Sequence, residues 1–280
     1  MRRLRVVGLC LIVVFAFGAV VSASASAGTE PALWECAKAA TIKVGTIKKY
    51  VGEYTDKHCS IAATTKQKEE GLVNKYGPFQ EWNLAAKKGK AKVFTGEGYK
   101  HGGANLVIAG VGGLSCATVK DTGEFTGPKS AGNVVATFTG CELLHHQCET
   151  GVTLGEIKTN PLKGEIGYIN ASLHQVGVLL SPEGTYATTG LHCAEIALRT
   201  SGGVIGEVVS KQNVYTTEAT LNFEQAAGIQ ARRTLEGFPG EYNLGTEKAS
   251  WPEEEEWNGP YESGESGKVK GKGEELVLKA

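Results

Sequence analysis

The chain has 280 residues with 29 basic and 30 acidic side chains. That length allows one large domain or two small ones, and the near-neutral balance gives no electrostatic reason to expect nucleic-acid binding, which demands concentrated positive charge. Glycine, at 38 residues, stands at roughly twice its usual ~7% share, but no G-X-Y period exists, which excludes collagen.

Residues 1–27 read as a secretory signal peptide. Arg2, Arg3 and Arg5 precede an apolar run from Val6 to Val21, followed by Ser22-Ala23-Ser24-Ala25-Ser26-Ala27. A basic start, a short apolar segment and a small-residue A-x-A site predict cleavage after Ala27, with Ala25 as second choice. A membrane anchor needs about 20 apolar residues, and this run is shorter. Cys10 follows Leu9 early in the run, away from the cleavage point where a lipoprotein carries its acylated cysteine. No later segment has the length or apolarity to span a bilayer. The expected product is a soluble, secreted, extracellular protein with no transmembrane segment after cleavage.

The predicted body is a single domain over 28–248, with 28–90 forming an N-terminal part around Cys36 and Cys59. From Ala91 onward, apolar and β-branched runs alternate with glycine-containing turns. The predicted strands are Lys92–Thr95, Asn105–Ala109, Leu114–Val119, Gly123–Thr126 and Asn133–Thr139. Asn-Pro initiates turns, because proline fixes its own φ and pushes the residue before it into an extended shape. Asn160-Pro161 therefore predicts a hairpin between Leu154–Thr159 and Leu162–Tyr168. Further strands are expected at Gln175–Leu180, Cys193–Arg199, Val204–Val209 and Val214–Phe223, the last with a clear period of two. Only Thr65–Val73 and Phe223–Arg233 have helix-forming composition, too little for a parallel α/β fold. The stretch 249–272 is rich in Glu and Gly and reads as an acidic, solvated loop. Residues 273–280 regain a strand pattern at Glu275-Leu276-Val277-Leu278-Lys279.

Six cysteines follow the leader: Cys36, Cys59, Cys116, Cys141, Cys148 and Cys193. An even number in an exported chain predicts three disulfides. No C-x-x-C zinc motif occurs. Local spacing pairs Cys36 with Cys59 and closes the Cys141–Cys148 loop, which leaves Cys116 to pair with Cys193.

Three stretches resemble a group of secreted proteins from soil actinobacteria. They are Asp121-Thr122-Gly123-Glu124-Phe125-Thr126-Gly127-Pro128-Lys129, Val134 to Glu142, and Gly155-Glu156-Ile157-Lys158-Thr159-Asn160-Pro161-Leu162-Lys163-Gly164. The resemblance covers about Pro31 to Phe223 and is most specific between Cys116 and Tyr168. It implies export and a β-rich, disulfide-containing body, and it carries no assigned activity, cofactor or site.

No catalytic signature emerges. Asp occurs only at Asp56 and Asp121, so a Ser-His-Asp triad would have to recruit one of these or a Glu. The G-x-S-x-G elbow is missing, and Ser115 and Ser201 sit in ordinary strand or turn contexts. A glycosidase needs two carboxylates across a cleft; Glu35 beside Trp34 and Glu81 beside Trp82 are the candidates. His145-His146 is the one paired histidine site, but neighbours on an extended segment point opposite ways, so no metal site is assigned. Lys87-Lys88-Gly89-Lys90-Ala91-Lys92 could meet an anionic polymer, and equally reads as a solvated turn. Gly110-Val111-Gly112-Gly113 lacks dinucleotide-binding spacing and reads as a turn.

The fold class expected is all-β, an antiparallel sandwich or barrel-like body stapled by disulfides, with the sandwich favoured. The function expected is a non-catalytic extracellular module, without cofactor, that binds a polymer or a cell-envelope partner. The alternative is an exported hydrolase acting on polysaccharide through a Glu pair.

Overall fold

The computed structural model describes residues 30–44, 46–63, 77–84, 92–98, 103–184, 187–250 and 256–280. The leader, the predicted helix Thr65–Val73 and the lysines before Lys92 lie outside them. The chain begins with β1 (Ala32–Lys38), β2 (Thr41–Val44), β3 (Ile47–Tyr50) and β4 (Phe79–Asn83). Then come β5 (Lys92–Gly98), β6 (Asn105–Ile108) and two long strands, β7 (Gly112–Gly127) and β8 (Ser130–Leu143). β9 (His146–Glu149), β10 (Glu156–Lys158), β11 (Leu162–Asn170) and β12 (Gln175–Pro182) follow. β13 (Ala187–Cys193), β14 (Ile196–Gly202), β15 (Val204–Val208) and β16 (Thr216–Phe223) continue the series. A small hairpin of β17 (Gln225–Ala226) and β18 (Ile229–Gln230) leads to β19 (Leu244–Ser250) and β20 (Asn258–Lys279). The fold is all-β and antiparallel; the one helical element among the described residues is a 3₁₀ turn at Ala171–Leu173.

The pairings close on themselves twice, so the body is barrel-like rather than a sandwich. One ring runs β5-β7-β8-β11-β12-β15-β16-β20 and returns to β5; the other runs β6-β7-β8-β9-β13-β14-β19-β20 and returns to β6. β7, β8 and β20 are long enough to serve both. The first half of β20 pairs with β19 and β6, while its second half pairs with β5 and β16. Closure removes the open edges that would invite aggregation.

Several expectations are corrected here. Leu114–Val119 and Gly123–Thr126 are one strand, because β7 crosses both rings. The Asn160-Pro161 hairpin does not form. β10 and β11 instead lie one after the other along β8, with Ile157 opposite Phe138 and Leu162 opposite Val134. Proline turns the chain onto a new stretch of the same neighbour. Cys193–Arg199 is broken by a tight turn with Ala194 at φ 49°, joining β13 to β14. Phe223–Arg233 holds no helix: Ala227 and Gly228 both adopt positive φ and fold Gln225–Gln230 into a hairpin. Most of the stretch read as an acidic loop, from Asn258 onward, belongs to β20.

Three disulfides are present: Cys36–Cys59, Cys116–Cys141 and Cys148–Cys193. The first is the expected pair; the other two replace Cys141–Cys148 and Cys116–Cys193. The cause is register. Cys116 lies directly opposite Cys141 on β7 and β8, and Cys148 lies directly opposite Cys193 on β9 and β13. The four thus form a row across four adjacent strands, and all four are buried in the core of the second ring.

The two rings are filled differently. Leu114, Leu143, Ile108, Ile157, Leu191 and Leu198 pack with the four cysteines inside the second ring. The first ring carries Gly96, Ala131, Gly164 and Gly271 on its inner wall, and these fill far less space. Its outer wall is covered: Leu179 and Ile205 pack under Leu235, Phe238 and Tyr242. Gly167 lets that cover lie flat, since a β-carbon there would come within 2.7 Å of Leu235.

Candidate functional site: the lumen of the first barrel

Eight strands enclose an interior just wide enough to be filled by side chains or to hold one small ligand. In the first ring the small inner residues leave the second outcome. A cavity of about 190 Å³ lies there, and every one of the eight strands contributes to its wall. Phe94, Phe125, Val134, Ile166, Val178, Leu180, Leu221, Phe223, Val269 and Leu276 make the lining largely apolar.

Leu33 of β1 lies against one part of the wall, tied by its backbone N–H to the Pro128 carbonyl at 2.7 Å. The exposed lining residues are Lys211, Thr217, Glu218, Ala219, Lys272 and Gly273. They gather where the β16–β20 ladder breaks: Thr216 pairs with Leu276, but Glu218 pairs with Lys272. Two residues of β16 thus span four of β20, and Gly273–Glu275 bow out of the ladder. This irregularity forms the mouth of the lumen, with the Glu218 carboxylate held 2.6 Å from Lys270 Nζ.

A second, smaller cavity of about 90 Å³ occupies the waist between the rings. Asp121, Leu180, Phe223 and Val269 line both spaces. Asp121 is therefore the carboxyl at the inner end of the lumen. It sits on β7 opposite Gly96 of β5 and Ala136 of β8, two small residues that leave it room. Its Oδ1 is fully buried and has no hydrogen-bond partner. Burial raises its pKa from 3.8 to about 6. Glu265 of β20 lines the waist cavity, and burial, followed by the nearby Asp121 charge, raises its pKa to about 7. Both residues keep some accessible surface, as groups bordering an internal space do. The rest of the waist is mostly apolar, with Thr159, Thr188, Thr189 and Thr200 among its polar lining; Thr200 Oγ1 lies 3.3 Å from Thr246 Oγ1, which accepts from the Ser263 hydroxyl at 2.7 Å.

The sequence-derived candidates lie elsewhere. Glu35 pairs across the strands with Trp82, and Cys36 with Glu81. Directly paired residues share a face and successive residues alternate, so Glu35 and Glu81 point to opposite sides of the β1–β4 ribbon. They do not face each other across a cleft. Glu35 is buried against Lys92 at 2.6 Å. Glu81 accepts from Tyr54 and Tyr215 at 3.1 Å each and from Lys279 Nζ, which also sits over the Trp34 ring. Burial and the Glu81 charge push both tyrosine hydroxyls above their ordinary pKa. This network fastens the N-terminal ribbon to the end of β20.

Asp56 is a turn residue, accepting from the backbone N–H groups of His58, Ser60 and Ile61. His145 occupies the β8–β9 turn, where Leu144 and His145 both have positive φ, and His146 is exposed on β9. No group of three His, Cys, Asp or Glu among the described residues is placed to hold a metal ion. No helix among them is long and apolar enough to cross a membrane.

Sequence reading noted Asp121 only as a possible triad member and missed its place in the lumen. Its one available signal was rarity: an Asp within a strand-forming run is unfavourable and invites a reason. No family model, curated protein or solved structure matches the chain.

Proposed function

We propose that this protein is an exported, non-catalytic binding module that takes a small apolar molecule into the lumen of the first barrel. The carrying observation is the cavity of about 190 Å³ walled by all eight strands. Binding sites are concave and mostly apolar, with a few placed polar groups, and this lumen has that composition. Its size favours a ring-sized guest, since about 150 Å³ suffices for benzene. A polymer, the partner expected from sequence, does not fit an enclosed space of this size. The hydrolase alternative loses its motivating pair, because Glu35 and Glu81 face apart and each already has a cationic neighbour.

The leader motif and the three disulfides support export, with cleavage after Ala27. The resemblance to secreted actinobacterial proteins agrees with that placement.

Methyl NMR during titration with toluene tests the binding reading. Saturable shifts are expected at Val134, Val178, Leu180, Val269 and Leu276, and Val178→Phe, which fills the space, should abolish them. Shifts scattered over the surface, or none at all, would overturn the proposal.

A further inference from the structure

From the placement of Asp121 and Glu265 we infer that the ligand of this lumen is a small apolar amine, whose ammonium group enters first and pairs with the Asp121 carboxylate. The inference rests on the lumen being a binding site and adds the chemistry of its guest.

Three observations converge on it. Beyond the polar mouth the wall is apolar except for Asp121 at its inner end, so one interior polar group fixes the orientation of whatever enters. That group is a carboxyl whose Oδ1 is buried without a partner. Buried polar groups are nearly always satisfied, and each exception calls for a reason; a carboxylate kept at the inner end of the lumen for a cationic guest supplies one. Finally, the other titratable group at the waist is also acidic. Glu265 comes from β20, while β5 and β8 present Gly96 and Ala136 beside Asp121. Among the described residues no cation contributes to the titration of either carboxyl, and burial together with the Asp121 charge disfavours ionising Glu265. Two buried acids without a countercharge are costly, and an ammonium group supplies the charge that is missing.

The mouth pulls the other way. Lys211 and Lys272 would favour an anion held at the surface. Both are exposed, where water and salt screen them, whereas the carboxyls act in a desolvated interior where the same charge interacts more strongly. The interior group therefore decides the selectivity.

Benzylamine, benzyl alcohol and benzoate share a ring and differ in the head group. Calorimetric titration of the full protein should rank them amine, alcohol, carboxylate, with the amine at least about tenfold tighter than the alcohol, as a charge-assisted hydrogen bond exceeds a neutral one. Asp121→Asn should remove the amine preference and retain alcohol binding, which also reports that the lumen is intact. Equal or tighter binding of benzyl alcohol or benzoate to the unaltered protein would overturn the inference while leaving the lumen as a binding site. An undiminished amine preference in Asp121→Asn would overturn it too. Failure of all three to bind would remove the binding reading and this inference together.

Discussion

Gly96 stands directly across from Asp121 in the β5–β7 ladder, and a β-carbon on Gly96 would come within 3.0 Å of the Asp121 Oδ2 and 2.8 Å of Val269 Cγ1. The missing side chain therefore makes room for an inward carboxyl and leaves the inner end of the lumen open. Gly96→Val should cost about 1–3 kcal/mol by overpacking and should also suppress ligand uptake. Urea denaturation checks the first effect and toluene titration the second; a stable variant with unchanged uptake would contradict this packing.

Stability should depend on pH with an unusual sign. Asp121 and Glu265 have folded-state pKa values of about 6 and about 7, above the ordinary 3.8 and 4.5. Between about pH 4 and 7 the folded protein holds protons that the unfolded chain has released. These two groups therefore favour folding below that window, and their contribution is lost as pH rises through it, by a few kcal/mol in all. Urea midpoints at pH 5 and pH 7.5 measure the fall. Asp121→Asn should flatten it and be the more stable protein at pH 7.5.

The strands of the barrel walls were largely legible in sequence, because β-branched runs such as Asn133–Thr139 and Val204–Val209 are enriched in strands, where their side chains pack well on a pleated, half-buried surface. Closure was not legible. β20 reads as a loop because Ser263, Gly267 and Gly271 alternate with Glu262, Lys268, Lys270 and Lys272. Small residues facing a narrow interior and charges facing water give no apolar period to detect. Asn160-Pro161 looked like a hairpin because turn chemistry is local, whereas the choice of neighbour for β10 and β11 is set by the length of β8. Asp121 escaped for a related reason: alternation gives a side chain its face, but only ring closure makes that face an interior.

The disulfide row makes a prediction that separates the pairing set by register from the one expected from local spacing. Peptide mapping should recover Cys116 linked to Cys141 and Cys148 linked to Cys193, and no Cys141–Cys148 species. The Cys148–Cys193 bridge spans 45 residues, so removing it through Cys148→Ala with Cys193→Ala should cost about 4 kcal/mol by the loop-entropy relation. An unchanged denaturation midpoint would show that the second barrel does not depend on it.

The Glu81 network should behave as a fastening rather than as a catalytic centre. Glu81→Ala leaves Tyr54, Tyr215 and Lys279 without their shared acceptor and should cost about 2–3 kcal/mol. Hydrogen exchange should accelerate in β1 and β4 more than in β11 and β12, with toluene uptake retained. Loss of uptake without loss of protection would place Glu81 in the binding machinery instead.

The most direct measurement of the central claim is a crystal structure of the protein soaked with iodobenzene, whose iodine marks its own position. The double-barrel account predicts one strong iodine site enclosed by Phe94, Val134, Val178, Leu180 and Val269, next to Asp121. A lumen without iodine, alongside sites only on the outer surface, would contradict it.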